Sequence, residues 1–407
     1  VLPIAESRFT EHVELVERYL SLLERVVALY LTEPTVRDYF DLGPVAHALV
    51  TVQHGFTRNV HICRLDGYLQ HETGALSILE NNADCPAGTL FTQRLNALVE
   101  GISRDVLGAD TALLRTPLDG RRAALDALLA AHREWGGTAE NPVIAILQLA
   151  GKANLESLEM AREFSALGVE TVVADPRELD LSHGPARVQD RRVHCVWNKI
   201  NTVYWNALVL ESPELPALFA RAIAERRLCH VNPFSARYVL ENKRCLALLQ
   251  EPETEALFTA QERALVSRLL PWSRKLAPGK RVVFEGREHD IEQLLSEQPH
   301  RFVLKEPYDI RGDGVTIGCA ADRSTWSKKL HEGLNAGFVA QEYVRPTQFP
   351  IVAPNGHVCP MTVSLDTFVF GGRVVGLGSK ASTSAKVNLF QGGRKLSARV
   401  VATPRET

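Results

Sequence analysis

No stretch of this 407-residue chain approaches the roughly 18 consecutive apolar residues that a membrane-crossing helix needs, so no helical membrane span is expected. The first residues lack the basic-then-apolar order of a signal peptide and carry Glu6, Glu11 and Glu14 instead, so none is expected there either. Excess positive charge is missing: 46 Lys and Arg against 48 Asp and Glu leave a formal net charge of -2. That removes the electrostatic case for nucleic acid or an anionic membrane as partner. The 7 cysteines (Cys63, Cys85, Cys195, Cys229, Cys245, Cys319, Cys359) contain no C-x-x-C pair. A zinc site is therefore not expected, and a reduced, cytoplasmic chain is. There is no internal repeat and no low-complexity segment, no Walker A Gly-Lys-Ser/Thr, and no G-x-G-x-x-G after Leu149, only Ala150-Gly151-Lys152. The last absence counts against a dinucleotide-binding dehydrogenase.

What is present is a composition 45% hydrophobic and 23% charged, in a chain long enough for two or three domains. Val13, Val16, Leu20, Leu23 and Val27 step by three and four, which predicts one long amphipathic helix over residues 10–31. HALVTVQ, NVHICRLDGYL and ALSILE predict short strands within 47–80, and residues 91–135 return to helical period. PVIAILQLA from Pro142 is a continuous apolar run that suits a strand buried on both faces of a parallel sheet. LESLEMAREFSALG reads as the helix after it, VETVVAD as a second strand and RRVHCVWNKI as a third, a βαβ arrangement. From Pro233 the texture becomes α+β: a helix through ENKRCLALLQ, then strands in RFVLKEP, VTIG, FVAQEYV, MTVSLDTFVFGG and RVVGLGS, with Gly371-Gly372 as a hairpin turn.

Three stretches carry chemistry. In SILENNADCPAG, Glu80, Asn82 and Asp84 recur at every second position, so a continuing strand would put all three on one face. With Arg64 and Asp66 of RLDGYL on a neighbouring strand, two carboxylates and an amide form an all-oxygen set that suits Mg²⁺, and the arginine suits a phosphate. A buried salt-bridge network of Arg64 with the two acids is the structural alternative. In FVLKEPYDIRGDGVTIG a strand delivers Lys305 into a loop holding Gly312 and Gly314, whose backbone amides could approach phosphate oxygens; an ordinary β-hairpin has the same composition. FVAQEYV places polar Gln341, Glu342 and Tyr343 at a strand end, which alone would read as a solvated edge. Cys85, His61 and His194 read as packing residues, since nothing adjacent to Cys85 would lower its pKa.

Together these pieces resemble the ATP-grasp superfamily, whose members clamp ATP between two α+β lobes and join a carboxylate to an amine. The metal-site pattern here precedes the lysine, the glycine loop and the hinge strand, so the chain looks like a circularly permuted member. It resembles the synthetase half of glutathionylspermidine synthase and its stand-alone amino-acid and peptide ligase relatives. The matching motifs are Arg64-x-Asp66, Glu80-x-Asn82-x-Asp84-x-Pro86, Asn242-Lys243 at a helix start, and Lys305 with its loop. The resemblance implies an α/β and α+β chain: residues 1–140 as a helical and strand module with the permuted metal half, 141–232 as a Rossmann-like pre-ATP-grasp domain, and 233–407 as the nucleotide lobe with the C-terminal core strands. It further implies ATP and Mg²⁺ as cofactors and small-molecule carboxylate and amine substrates, as in a γ-glutamyl or dipeptide ligase acting on small amino acids; monomer and homodimer stay open.

By the same resemblance Asp66, Glu80 and Asn82 would hold Mg²⁺, and Arg64 would face the transferring phosphoryl group. Lys243 and Lys305 would contact phosphates, with Arg311 to Gly314 as a lid and Gln341, Glu342, Tyr343 and Val344 gripping adenine. Lys380 stands where relatives carry an arginine, before Asn388 and Gly392-Gly393. It can neutralise an acyl phosphate without the bidentate grip of a guanidinium. Asp84 would position Arg64 or substrate, while Asn154 and Lys199 would lie at the carboxyl ends of the parallel strands, where such sheets bind ligands. A nucleotide-binding regulatory protein of the same fold, without turnover, is the alternative function.

Overall fold

The structure is a computed structural model that describes residues 1–106, 114–115, 120–152, 154–352 and 356–401. Of the helical stretch expected over 91–135, residues 107–113 and 116–119 lie outside the described residues.

The stepped apolar residues near the start form the helix Glu6–Thr32, which buries Val16, Tyr19, Leu23 and Val27 among others. It lies across the back of a seven-stranded sheet that holds the chemistry-bearing strands. The order runs Gln348–Val352, Val358–Val363, Arg373–Ser382, Leu365–Phe370, Ile62–Leu69, Leu76–Asn82, with Arg394–Leu396 pairing on Arg373–Ser382. All its pairings are antiparallel. Because side chains alternate across a strand, neighbours point opposite ways. Tyr19 donates to Asn81 Oδ1 at 3.1 Å and His12 Nε2 lies 2.8 Å from Thr367 Oγ1, so Asn81 and Thr367 face the helix. Glu80, Asn82 and Asp366 are thereby presented on the opposite face. Gly371 and Gly372 make the tight turn between Leu365–Phe370 and Arg373–Ser382 with φ of 58° and 79°, values that a side chain disfavours.

The apolar run after Pro142 is the strand Ile144–Leu147, buried at every position. It sits in a parallel four-stranded sheet of order His230–Val231, Cys195–Asn198, Ile144–Leu147, Thr171–Ala174. The helix Leu155–Ala166 makes the crossover, started by Asn154, whose side chain accepts from Ser157 N–H. A third, antiparallel sheet orders Ser273–Lys275, Val339–Glu342, Phe302–Lys305 and Val315–Ile317. Its apolar face buries Phe302, Leu304, Trp326, Leu330 and Phe338 under the helix Arg323–Ala336.

Two expectations are corrected. HALVTVQ is no strand: it lies mostly in the helix Pro44–Val50, which Pro44 starts as its first residue and Leu49 and Val50 anchor by burial. The strand through SILENNADCPAG stops at Asn82, so Asp84 does not continue the face of Glu80 and Asn82.

Candidate active site

Pairing of Ile62–Leu69 with Leu76–Asn82 sets Asp66 opposite Glu80 and Arg64 opposite Asn82. The register then shifts between Asp66 and Gly67, which faces Ile78, so Leu79 is one extra residue on its strand. Such a bulge interrupts the ladder and re-aims local groups. Here the Leu79 carbonyl accepts from Lys305 Nζ at 2.8 Å, which ties the third sheet to the central one. On the other side Asp66 pairs with Asp366, so Glu80, Asp66 and Asp366 form a row across three adjacent strands.

Cations answer this row. Arg64 holds Asp66 through two bonds, Nε to Oδ1 at 2.5 Å and Nη2 to Oδ2 at 3.0 Å, and its Nη1 donates to the Ala87 carbonyl. Lys380 Nζ lies 3.0 Å from Asp66 and 3.1 Å from Asp366. Lys243 Nζ bridges Glu80 at 3.0 Å and Asp309 at 2.6 Å. Burial alone would raise the Asp66 pKa, yet Arg64 and Lys380 overcome it and hold the carboxyl well below its usual range. Burial likewise opposes charge on Lys243, and Glu80 with Asp309 more than restores it, leaving its pKa raised. Lys305, with only a carbonyl as direct partner, is pushed down by burial to about 8, although Glu80 pulls the other way.

These groups surround one cavity of about 1000 Å³ between the three sheets. Of the residues predicted for the site, Arg64, Asp66, Glu80, Asn82, Lys305, Arg311, Gly312, Gln341, Glu342, Tyr343, Val344 and Lys380 line it. Lys243 does not: its side chain is 1% exposed and lies behind the Glu80 and Asp309 wall. Gly314 does not line it either, and a Cβ there would meet Asp309 and Glu306 at 2.8 and 2.9 Å. The Gln341 amide is turned to Ser273 Oγ at 3.2 Å, and the N–H groups of Glu342 and Tyr343 donate to the carbonyls of Trp272 at 2.8 Å and Arg301 at 2.7 Å. The 311–315 loop is fastened by Lys386 Nζ, donating to the carbonyls of Gly312 at 2.8 Å and Val315 at 2.7 Å, and by Asn388, donating to the Arg311 carbonyl.

Asp84 is also corrected in its partner. Its carboxylate accepts from Thr202 N–H at 2.8 Å and Thr202 Oγ1 at 3.0 Å, which anchors the helix Thr202–Glu211 and not Arg64. Lys199 and Asn154 reach the cavity as expected for strand carboxyl ends, but Lys199 is engaged by Glu156 at 3.3 Å and by the Pro86 carbonyl at 3.1 Å. Burial pushes the Cys85 thiol well up, with Asp84 adding to the shift, so it is no thiolate. His61 is pushed down to about 4 by burial, and His194 accepts from Val143 N–H at 3.0 Å, as packing residues would.

Sequence reasoning missed Asp366, Asp309, Lys386 and Lys395, all of which line the cavity. Asp366 was findable: an aspartate inside the apolar strand run MTVSLDTFVF violates β-propensity, and such violations concentrate at functional sites.

The donor set, two carboxylates and an amide, fits a hard divalent cation that keeps other ligands such as water or phosphate. No cluster of three or more His, Cys, Asp or Glu able to hold a metal alone occurs among the described residues. No helix among them is long and apolar enough to cross a membrane, and all 7 cysteines are free.

The chain matches no protein-family model, and no curated protein matches it. Among solved structures it is similar to a glutathione synthetase-like effector from Globodera pallida in its apo form, at a TM-score of 0.62 and 16% identity, covering 98% of this chain and 89% of that one. At that identity the likeness is one of fold. A candidate gamma-glutamylcysteine synthetase from Methylobacillus flagellatus KT aligns at a TM-score of 0.48 and 12% identity, over 94% of this chain and 88% of that one. A RimK-domain ATP-grasp protein from Sphaerobacter thermophilus DSM 20745 aligns at 0.32 and 15%, over 58% and 90%.

Proposed function

We propose that this chain is an ATP-dependent carboxylate–amine ligase with a circularly permuted ATP-grasp core and a Rossmann-like pre-domain. Small amino acids or peptides are its substrates, and a reduced cytoplasm is its setting. The observation that carries the reading is the single cavity in which the Asp66, Glu80 and Asn82 oxygens face Lys305, the Arg311–Gly312 loop and the Gln341 to Val344 segment. The fold shared with a glutathione synthetase-like effector supports it.

An amine does not displace oxide from a carboxylate, so the carboxylate must first be activated. Its oxygen attacks the terminal phosphorus of ATP and ADP leaves, giving an acyl phosphate. The amine nitrogen then adds to the acyl carbon, the tetrahedral adduct expels phosphate, and one proton is released as the amide forms. Neither step needs a protein nucleophile; positioning and neutralisation of charge suffice. Asp66, Glu80 and Asn82 would hold Mg²⁺, which when bound offsets the phosphate charge. Arg64 and Lys380 would neutralise the transferring group, Lys305 would bind nucleotide phosphate, and the 311–315 loop would exclude water. For Lys243 to reach a phosphate, its bonds to Glu80 and Asp309 must exchange when nucleotide enters.

One observation favours the second reading, a nucleotide-binding protein without turnover. Asp66 is already paired by Arg64 and Lys380, and Glu80 by Lys243, contacts that hold these side chains in place without a nucleotide. The test is ADP release from ATP and MgCl2 over a panel of paired amino acids, with mass analysis of products. A stimulated release that Glu80→Ala abolishes supports the ligase. ATP binding with no pair stimulating release supports the regulatory reading, and AMP with pyrophosphate would replace both with adenylation.

A further inference from the structure

Lys380 answers to two aspartates that differ in how much else they hold. Its Nζ lies 3.0 Å from Asp66 Oδ2 and 3.1 Å from Asp366 Oδ1. Asp66 is crowded: Arg64 donates to Oδ1 at 2.5 Å and to Oδ2 at 3.0 Å, and Lys380 adds a third bond at Oδ2. A carboxylate offers about four acceptor positions, so roughly one remains on Asp66. Asp366 has more to spare, since Oδ1 accepts from Ser364 Oγ at 3.0 Å and Oδ2 accepts from no group among the described residues.

Asp366 is also fixed to the same piece of backbone as the lysine. It is 1% exposed, within the strand Leu365–Phe370. Ser364, which orients it, is joined to Lys380 twice: the Ser364 N–H donates to the Lys380 carbonyl at 2.8 Å, and the Lys380 N–H donates to Ser364 Oγ at 3.1 Å. Ser379 Oγ fastens the joint by donating to the Ser364 carbonyl at 2.7 Å. The pair Ser364 and Asp366 therefore holds both the backbone and the amine of Lys380, whereas Asp66 holds the amine alone.

The difference tells when a metal arrives. A divalent cation on Asp66, Glu80 and Asn82 would share the Asp66 carboxylate with an ammonium, and the two cations repel. Arg64 keeps the Ala87 carbonyl at 2.5 Å as a second partner. Lys380 keeps Asp366, and without it a buried ammonium leaving Asp66 would be stranded.

We infer that Asp366 is a positioning residue that receives Lys380 when metal takes Asp66, so that the metal site sheds a competing cation while the lysine stays charged and within reach of the transferring group. The inference rests on the proposed ligase reading for the metal site and deepens it.

The test is a double-mutant cycle on metal affinity. The full chain with one equivalent of ADP is titrated with MnCl2, and bound Mn²⁺ is read from the loss of the free-ion EPR signal beyond that caused by ADP alone. Asp366→Asn should weaken binding about tenfold or more, because Lys380 then has only Asp66 to pair with. In a Lys380→Met background the same substitution should cost about twofold or less. Asp366→Glu should recover part of the loss. Ser364→Ala, which keeps the aspartate charge and removes the bond that orients it, should cost about threefold, again only while Lys380 is present, and it carries the cycle where Asp366→Asn does not fold. An equal loss in both backgrounds overturns the inference and leaves the ligase reading standing, since Asp366 would then act on the metal directly. Unchanged affinity in folded Asp366→Asn overturns it as well. A wild-type chain that binds no Mn²⁺ beside ADP overturns the metal reading itself and the inference with it.

Discussion

Lys243 Nζ sits 3.0 Å from Glu80 Oε1 and 2.6 Å from Asp309 Oδ1, so one ammonium with a side chain 1% exposed binds the acidic strand to the loop after Lys305. Removing a buried partner strands the others, which costs about 3–5 kcal/mol, whereas a partly solvated carboxylate loses far less. Glu80 is 25% exposed and Asp309 5%. Urea unfolding should therefore rank Lys243→Met as most destabilising, then Asp309→Asn, then Glu80→Gln. The last should cost under about 1 kcal/mol, and under the proposed ligase reading it should lower ADP formation at least about a hundredfold. A Glu80→Gln variant as unstable as Lys243→Met would contradict this ranking.

Lys305 titrates at about 8 when folded, below the ordinary lysine value near 10.4. Between those two values the unfolded chain binds more protons, so this group adds stability as pH rises through the window and none below it. Nucleotide phosphate favours the charged amine and raises its pKa. ATP binding at pH 8.5–9 should then take up protons, read by calorimetry in buffers of different ionisation enthalpy. Lys305→Met should abolish the uptake.

Asp66 runs the opposite way. Its folded pKa is depressed by Arg64 and Lys380 against the effect of burial, so its stabilisation is complete above the ordinary aspartate value of about 3.9 and is lost as pH falls through the folded value. Acid unfolding of the wild type should begin below about pH 4 from this group, and Asp66→Asn should flatten that part of the stability curve. Lys380→Met, by removing one of the two cations, should move the same transition to higher pH.

The 311–315 loop is held by two bonds from a charged lysine, each worth about 1.5–3 kcal/mol when a charge is involved. Lys386→Met should raise amide exchange in that loop by about tenfold or more and leave the parallel sheet unchanged. If the loop guards the nucleotide, KM for ATP rises several-fold in the same variant. Unaltered exchange would show that the remaining contacts of the loop, Asn388 among them, keep it shut.

The parallel strands and the long helix were legible because apolar runs and three-four stepping map directly onto burial. Glu80 and Asn82 were legible because both follow the bulge and keep its two-residue period. The bulge was not, since one surplus residue leaves no mark in a hydrophobic pattern, and with it went the Lys305 to Leu79 contact. Asp84 was misread because the strand ends one step before the helix Thr202–Glu211 claims its carboxylate. HALVTVQ misled because its β-branched content spoke for a strand while Pro44 and tertiary burial decided for a helix. Lys395 lies two residues past Gly393, yet its place over Gly88 exists only once distant elements meet.

Asp66 and Lys380 touch although 314 positions separate them in the chain. The hairpin that carries Asp66 and Glu80 finds its neighbour strand only after residues 365–370 have been made. At about 5–20 residues per second on the ribosome, it waits roughly 15–60 s with one long edge unpaired. During that interval the edge strand Ile62–Leu69, rich in apolar residues, is the part of the nascent chain most exposed to wrong pairing. Chaperone dependence and inclusion-body yield should accordingly respond to changes on that edge before they respond to anything in the finished site.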